Sequence, residues 1–243
     1  PGWHELNGTL KFLHDGRRLP GIRCKTGKFI DVDPHLSYVA AFREAWKILN
    51  MTRDLAKTLI PVLFAHLSLL TSVFSRAGYH PRFLLFIVGE TGALKTEFSK
   101  ALFSLYSGES GRVPASFKDT ITALEVKLSS RGDGTLLIDD FHPPVSATEK
   151  KAMAEKLEGI IRYQGDGIAK GRSNVNLELR EDLTARCLVA CTGEFASVGE
   201  SSMLRLLLIE LKKGEISGTN LKTFQNNPRL LATHWQGFLE YVE

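Results

Sequence analysis

Residues 83–96 read FLLFIVGETGALKT, an unbroken apolar run that enters a glycine-bearing turn and leaves it through Lys95 and Thr96. The run predicts a strand buried on both faces, and the residues from Glu97 onward predict a helix. A buried strand, a loop of inward-facing backbone N–H groups and a helix N-terminus together cradle a phosphate group. The loop comprises Gly89, Glu90, Thr91, Gly92, Ala93, Leu94, Lys95 and Thr96. It follows the pattern Gly, four residues, Gly, Lys, Ser/Thr at every fixed position but one: Leu94 stands where the second glycine belongs. That glycine lets the backbone lie against phosphates at dihedrals a side chain resists. Gly92 and Ala93 are small and could supply the freedom two residues earlier. The pattern implies a nucleoside triphosphate; a strand, turn and helix with a chance Lys-Thr is the alternative.

A second apolar run, 135–141 (TLLIDDF), ends in the paired carboxylates Asp139 and Asp140. A carboxylate at the end of a buried strand is costly unless a cation meets it. In nucleoside triphosphatases the first acid at such a place holds Mg²⁺ and the second orients or deprotonates the attacking water. Asp139 is expected in the first role, beside Thr96, and Asp140 in the second. Asp is a methylene shorter than Glu, so the water would have to sit closer. An Asp pair capping a turn ahead of His142 and two prolines is the alternative.

The 243 residues suffice for one large domain or a core with small appendages. A hydrophobic content of 43% is that of a globular chain, and a net charge of +4 is compatible with nucleic acid without arguing for it. No apolar run approaches the ~20 residues that span a bilayer, and the opening residues do not read as a signal peptide, so a cytoplasmic location is expected. Cys24, Cys187 and Cys191 are read as reduced thiols, the last two buried on one face of a strand, with metal binding a poor second. The start at Pro1 without Met and the abrupt stop at Glu243 lead us to expect a piece of a longer protein.

The pattern along the chain predicts a small β element over 1–36, with strands at 9–13, 21–24 and 28–32. Helices follow over 37–81, Thr52 capping the second and Pro61 kinking or dividing it. The nucleotide core is expected over 82–211. It reads as strands at 83–88, 112–117, 135–139, 186–192 and 204–211, helices at 95–106, 120–130 and 147–162, and a hairpin at 163–179. The tail, 212–243, reads as weakly helical, the start of a lid or a following domain. Strands alternating with helices predict an α/β fold, a mostly parallel sheet covered by helices on both faces. Ligands of such sheets bind outside the carboxyl ends of the strands, where both Gly89 and Asp139 fall.

Two further residues draw notice. Thr192 ends the apolar strand that begins at Arg186, with Gly193 and Glu194 next. Arg205 stands at the entry of the apolar run 206–209 (LLLI), where an unpaired guanidinium would be costly. It should reach an edge or an anion: either the γ-phosphate of a neighbouring subunit, as arginine fingers do, or Glu200 or Glu210 at the surface.

The order of these features resembles that of AAA+ ATPases. Residues 154–158 (AEKLE), 167–172 (GIAKGR) and 186–192 (RCLVACT) are similar to the stretch of minichromosome maintenance helicases where a helix leads into a pore hairpin. The opening 2–8 (GWHELNG) and the loop 89–96 (GETGALKT) resemble helicase-like ATPase domains of bacterial mobile elements and phages. The resemblance implies ATP and Mg²⁺ as cofactors, and a homo-oligomeric ring, a hexamer. It also implies that Thr192 helps to place the attacking water, and that Lys170 and Arg172 on the 163–179 hairpin contact DNA. Leu94 and Asp140 depart from the commonest AAA+ pattern, which bears on the rate of hydrolysis more than on binding. The motor reading stands against a nucleotide-gated assembly module with little turnover, and against a small-molecule kinase, for which no lid or acceptor pocket is visible.

Overall fold

The structure is a computed structural model; it describes residues 1–15, 28–109, 111–142, 146–166, 184–196 and 198–243. The chain opens with a hairpin of β1 (Gly2–Leu6) and β2 (Thr9–Leu13), paired antiparallel. Its turn is Asn7-Gly8, both left-handed (φ 51° and 77°), the combination that matches the twist of two flanking strands. The strand expected at 21–24 lies outside the described residues. Residues 28–32 form no strand.

Three helices follow: α1 (Tyr38–Ala45), α2 (Ala56–Ser68) and α3 (Thr71–Arg76), with a 3₁₀ turn at Trp46–Met51. Ser37 caps α1 by accepting from the Ala40 N–H. Thr52 does not cap α2; its hydroxyl donates to the Asp54 carbonyl instead. Nor does Pro61 divide α2. The helix runs on through it, giving up one N–H, and the break comes at Leu69–Leu70.

The remaining elements alternate. They are β3 (Leu84–Val88), α4 (Lys95–Phe103), β4 (Ala115–Ser116), α5 (Ile121–Arg131), β5 (Thr135–Phe141), α6 (Ala147–Asp166), β6 (Leu188–Gly193), a short α7 (Glu200–Met203), β7 (Leu206–Glu210), α8 (Gly218–Gln225) and α9 (Pro228–Val242). The five later strands form one sheet in the order β4-β5-β6-β3-β7, and every neighbouring pair is parallel. The fold is thus α/β, as the alternation predicted.

The side-chain alternation of β3 divides the core. Leu85 and Ile87 enter a cluster with Leu137, Ala190 and Ile209, covered by Val62 and Phe64 of α2, Phe98 and Leu102 of α4, and Leu221 and Leu239 of α8 and α9. Leu84 and Phe86 enter the other, with Ile138, Val189 and Cys191, under Leu124 and Leu128 of α5 and Leu157 and Ile160 of α6. Both faces of the sheet are therefore covered, which is why its central strands read as continuous apolar runs. Each fully buried aliphatic side chain is worth roughly 1.5–3 kcal/mol of transfer free energy. Cys187 and Cys191 are buried free thiols in the second cluster; Cys24 lies outside the described residues.

Several boundaries differ from the sequence reading. The helix expected at 95–106 ends at Phe103, and the strand expected at 135–139 runs on to Phe141. The strand expected at 112–117 is reduced to Ala115–Ser116 at the sheet edge. Tyr163 and Gln164, placed in a hairpin by sequence, are the last turn of α6. Burial explains it: Tyr163 joins the second cluster, and the Gln164 side chain donates to the Pro81 carbonyl at 3.1 Å. Lys170 and Arg172, with the rest of the expected hairpin, lie outside the described residues.

Candidate functional site

The loop after β3 sits on backbone. Gly89 donates its N–H to the Gly193 carbonyl at 3.1 Å, and Leu211 donates to the Val88 carbonyl at 2.8 Å. A Cβ on Gly89 would lie 2.1 Å from the Leu211 carbonyl oxygen, so no other residue fits there. The loop then turns left-handed at Gly92 (φ 87°) and again at Leu94 (φ 60°, ψ 20°). The position where the sequence pattern wants glycine does take a left-handed conformation, and here a leucine bears its strain, of about 1–2 kcal/mol. Leu94 also occupies the N-cap position of α4 and has no side chain that can accept a hydrogen bond. The first-turn N–H groups of α4 thus receive no hydrogen bond from the side chain at their N-cap.

Around this loop the carboxyl ends of β5 and β6 close a cavity of about 250 Å³. Thr91, Gly92, Leu94, Lys95 and Thr96 face Asp139, Asp140, Thr192 and Glu194 across it. The Lys95 ammonium donates to the carbonyls of Gly89 and Glu90, at 2.7 and 2.9 Å. The Thr96 hydroxyl donates to Asp139 Oδ1 at 2.8 Å. The buried Thr192 hydroxyl donates to the same oxygen. Two hydroxyls from two different elements thus converge on one carboxylate at the end of β5.

Asp140 has a different surrounding. Its backbone is left-handed (φ 72°), within an irregularity of β5 between Ile138 and Phe141. Its carboxylate meets the Lys118 ammonium at 2.8 Å and His142 Nδ1 at 3.6 Å. The hydrogen bond to Asp140 holds the exposed Lys118 ammonium above the ordinary lysine range. Lys118 was not anticipated from sequence, although it follows the strand that flanks the acidic one. Glu194, which follows Thr192 and Gly193 in the sequence, accepts at Oε1 from the Thr91 hydroxyl at 2.5 Å.

Arg205 stands apart. Leu84 donates its N–H to the Arg205 carbonyl at 2.9 Å, and Leu84 is paired with Leu206. Arg205 therefore lies at the amino end of the sheet, the length of β3 from the loop, or roughly 16 Å at ~3.3 Å per residue. Its guanidinium is half exposed and pairs loosely, at 3.7 Å, with Asp166 rather than with Glu200 or Glu210. It lies on Gly165, where a Cβ would come within 2.3 Å of its Nη1.

No protein-family model matches this chain, and no curated protein matches it by sequence. Solved structures do. The chain is similar to the SCCmec type IV Cch active helicase, at 14% identity and a TM-score of 0.62, over 96% of this chain and 43% of that one. It is also similar to the apo C-terminal region of NrS-1 (15% identity, TM-score 0.48, 98% of this chain and 52% of that one) and to JCV helicase (16%, 0.43, 84% and 52%). The Cch likeness shows the fold: a parallel sheet with helices on both faces. This chain spans less than half the length of Cch.

Proposed function

We propose that this chain is the ATP-hydrolysing core of an AAA+ DNA helicase or translocase, working in the replication of a mobile element or phage. One observation carries the reading: Thr96 at the start of α4 and Asp139 at the end of β5 meet beside the phosphate loop. Adjacent ligands of an octahedral Mg²⁺, at ~2.1 Å from the metal, lie about 3 Å apart, and these two hard oxygen donors are 2.8 Å apart. Magnesium, when bound, offsets charge on the β- and γ-phosphate oxygens.

In this reading Lys95 leaves the loop carbonyls for the β- and γ-phosphates, and Gly89 to Leu94 wrap them. Thr192 braces Asp139, and Asp140 flanks the attacking water. Arg205, too far from its own loop, reaches the site of the next subunit in a ring, a hexamer. Lys170 and Arg172 track the DNA backbone. The nucleotide core spans 82–211, with 1–36, 37–81 and 212–243 as flanking parts. The fold shared with a protein described as an active helicase supports the choice of motor over kinase. No helix among the described residues is long and apolar enough to cross a membrane.

The test is ATP turnover with and without single-stranded DNA, in the wild type and in Lys95→Ala. Turnover stimulated by DNA and lost with Lys95 is expected. Tight ATP binding without turnover would make the chain a nucleotide-gated assembly module instead. Normal turnover in Lys95→Ala would remove the site.

A further inference from the structure

We infer that Glu194, rather than Asp140, accepts the proton of the attacking water; the inference rests on the ATPase reading above. Both carboxylates line the same cavity, and their surroundings differ. Asp140 gives one oxygen to the Lys118 ammonium at 2.8 Å and has His142 3.6 Å from the other. It would have to surrender an ion pair before it could take a proton.

Glu194 makes no ion pair among the described residues. Its Oε1 accepts from the Thr91 hydroxyl, and Thr91 belongs to the loop that would wrap the phosphates. The carboxylate is thereby held against the loop, and its second oxygen has no hydrogen-bond partner among the described residues. Its backbone is held as well: the Glu194 N–H donates to the Phe141 carbonyl at 2.9 Å. Just before it, Gly193 lies so close to Phe141 that a Cβ would come within 2.6 Å of the Phe141 carbonyl oxygen. A carboxylate on a fixed strand end, tied to the phosphate loop and open to solvent, is placed both to receive a proton and to release it.

The step balances. A water O–H bond breaks and its proton goes to Glu194. The oxygen bonds the γ-phosphorus while the bond from that phosphorus to the β,γ-bridging oxygen breaks, its electron pair leaving with ADP. Glu194 then gives the proton to solvent.

The experiment compares Glu194→Gln, Glu194→Asp and Asp140→Asn with the wild type. It measures steady-state ATP turnover against pH and, separately, the affinity for a fluorescent ATP analogue. Glu194→Gln should lose at least ~100-fold in kcat, within the range a proton acceptor contributes, with analogue affinity held to about twofold. Glu194→Asp should recover part of the loss. Asp140→Asn should lose less than Glu194→Gln. The acid limb of the pH profile should persist in Asp140→Asn and vanish from the residual turnover of Glu194→Gln. Turnover in Glu194→Gln equal to or above that of Asp140→Asn overturns the inference, as does a loss of analogue affinity as large as the loss of turnover. Either result leaves the ATPase reading intact. A wild-type protein without turnover removes that reading, and this inference with it.

Discussion

The Thr96 hydroxyl and the Asp139 carboxylate lie 2.8 Å apart although one starts a helix and the other stands near the end of a strand three elements later. The parallel sheet brings them together. β3 and β5 both abut β6, so their carboxyl ends open on the same rim. Removing the Lys95 charge beside this pair should weaken ATP binding. A hydrogen bond to a charged group is worth about 1.5–3 kcal/mol, so Lys95→Ala should cost roughly 10- to 100-fold in Kd, read by titration with a fluorescent ATP analogue.

Leu94→Gly should stabilise the protein. Leu94 has φ 60°, a conformation glycine adopts freely, while the added freedom of glycine in the unfolded chain offsets part of the gain. A net gain of about 0.5–1 kcal/mol corresponds to a Tm rise of roughly 1–4 °C at this length. Calorimetry showing a lower Tm would mean that the leucine side chain contributes packing greater than its strain.

Lys118→Ala should leave Tm almost unchanged, because an exposed ion pair adds little to stability. Nucleotide affinity should fall severalfold, because Asp140 would then face a polyanion without its cation. The fall should shrink at high salt, and an affinity indifferent to both charge and salt would count against it.

Arg205→Ala should bind ATP normally and fail to turn it over. If the arginine serves the neighbouring subunit, mixing this variant with Glu194→Gln should restore activity, since mixed rings contain intact junctions. A mixture no more active than its parts would place Arg205 outside the reaction.

Stability should fall as pH drops from about 6.5 toward 4. His66 Nδ1 donates to the Val62 carbonyl at 2.8 Å, leaving its Nε2 to accept from His234 Nε2–H at 3.1 Å. Burial lowers both imidazoles below the ordinary range, and His66 adds to the effect on His234, which falls to about 4. The unfolded chain therefore binds protons near pH 6.5 that the folded chain refuses, and stability is lost on acidification by an amount on the order of 2–3 kcal/mol for His234. Asp133 acts in the opposite sense, its carboxyl raised by burial, so it favours folding where it is protonated. Thermal melts across this range should flatten in His234→Gln.

Where the sequence was legible, local chemistry dictated the answer. β3, its glycine turn and the acids of β5 could be read because strands buried on both faces leave no other apolar pattern, and because Gly89 has no substitute. The surroundings of Asp140 could not be read. They depend on an irregularity between β5 and β6 and on a lysine from beyond β4, neither of which leaves a mark in the run TLLIDDF. The end of α6 was misplaced for a similar reason: its last turn is held by Pro81 and by the second core cluster, both distant in sequence. Pro61 misled because α2 tolerates one missing hydrogen bond when its flanks, Val62 and Phe64, are anchored in the core.

One consequence follows from β7. The strand begins next to Arg205 and ends at Glu210, one residue before Leu211, whose carbonyl presses on Gly89. A single extended rod thus has a guanidinium at one tip and the seat of the loop after β3 at the other, without a joint between them. Any force a neighbouring molecule applies to that guanidinium arrives at the loop along a strut about five residues long.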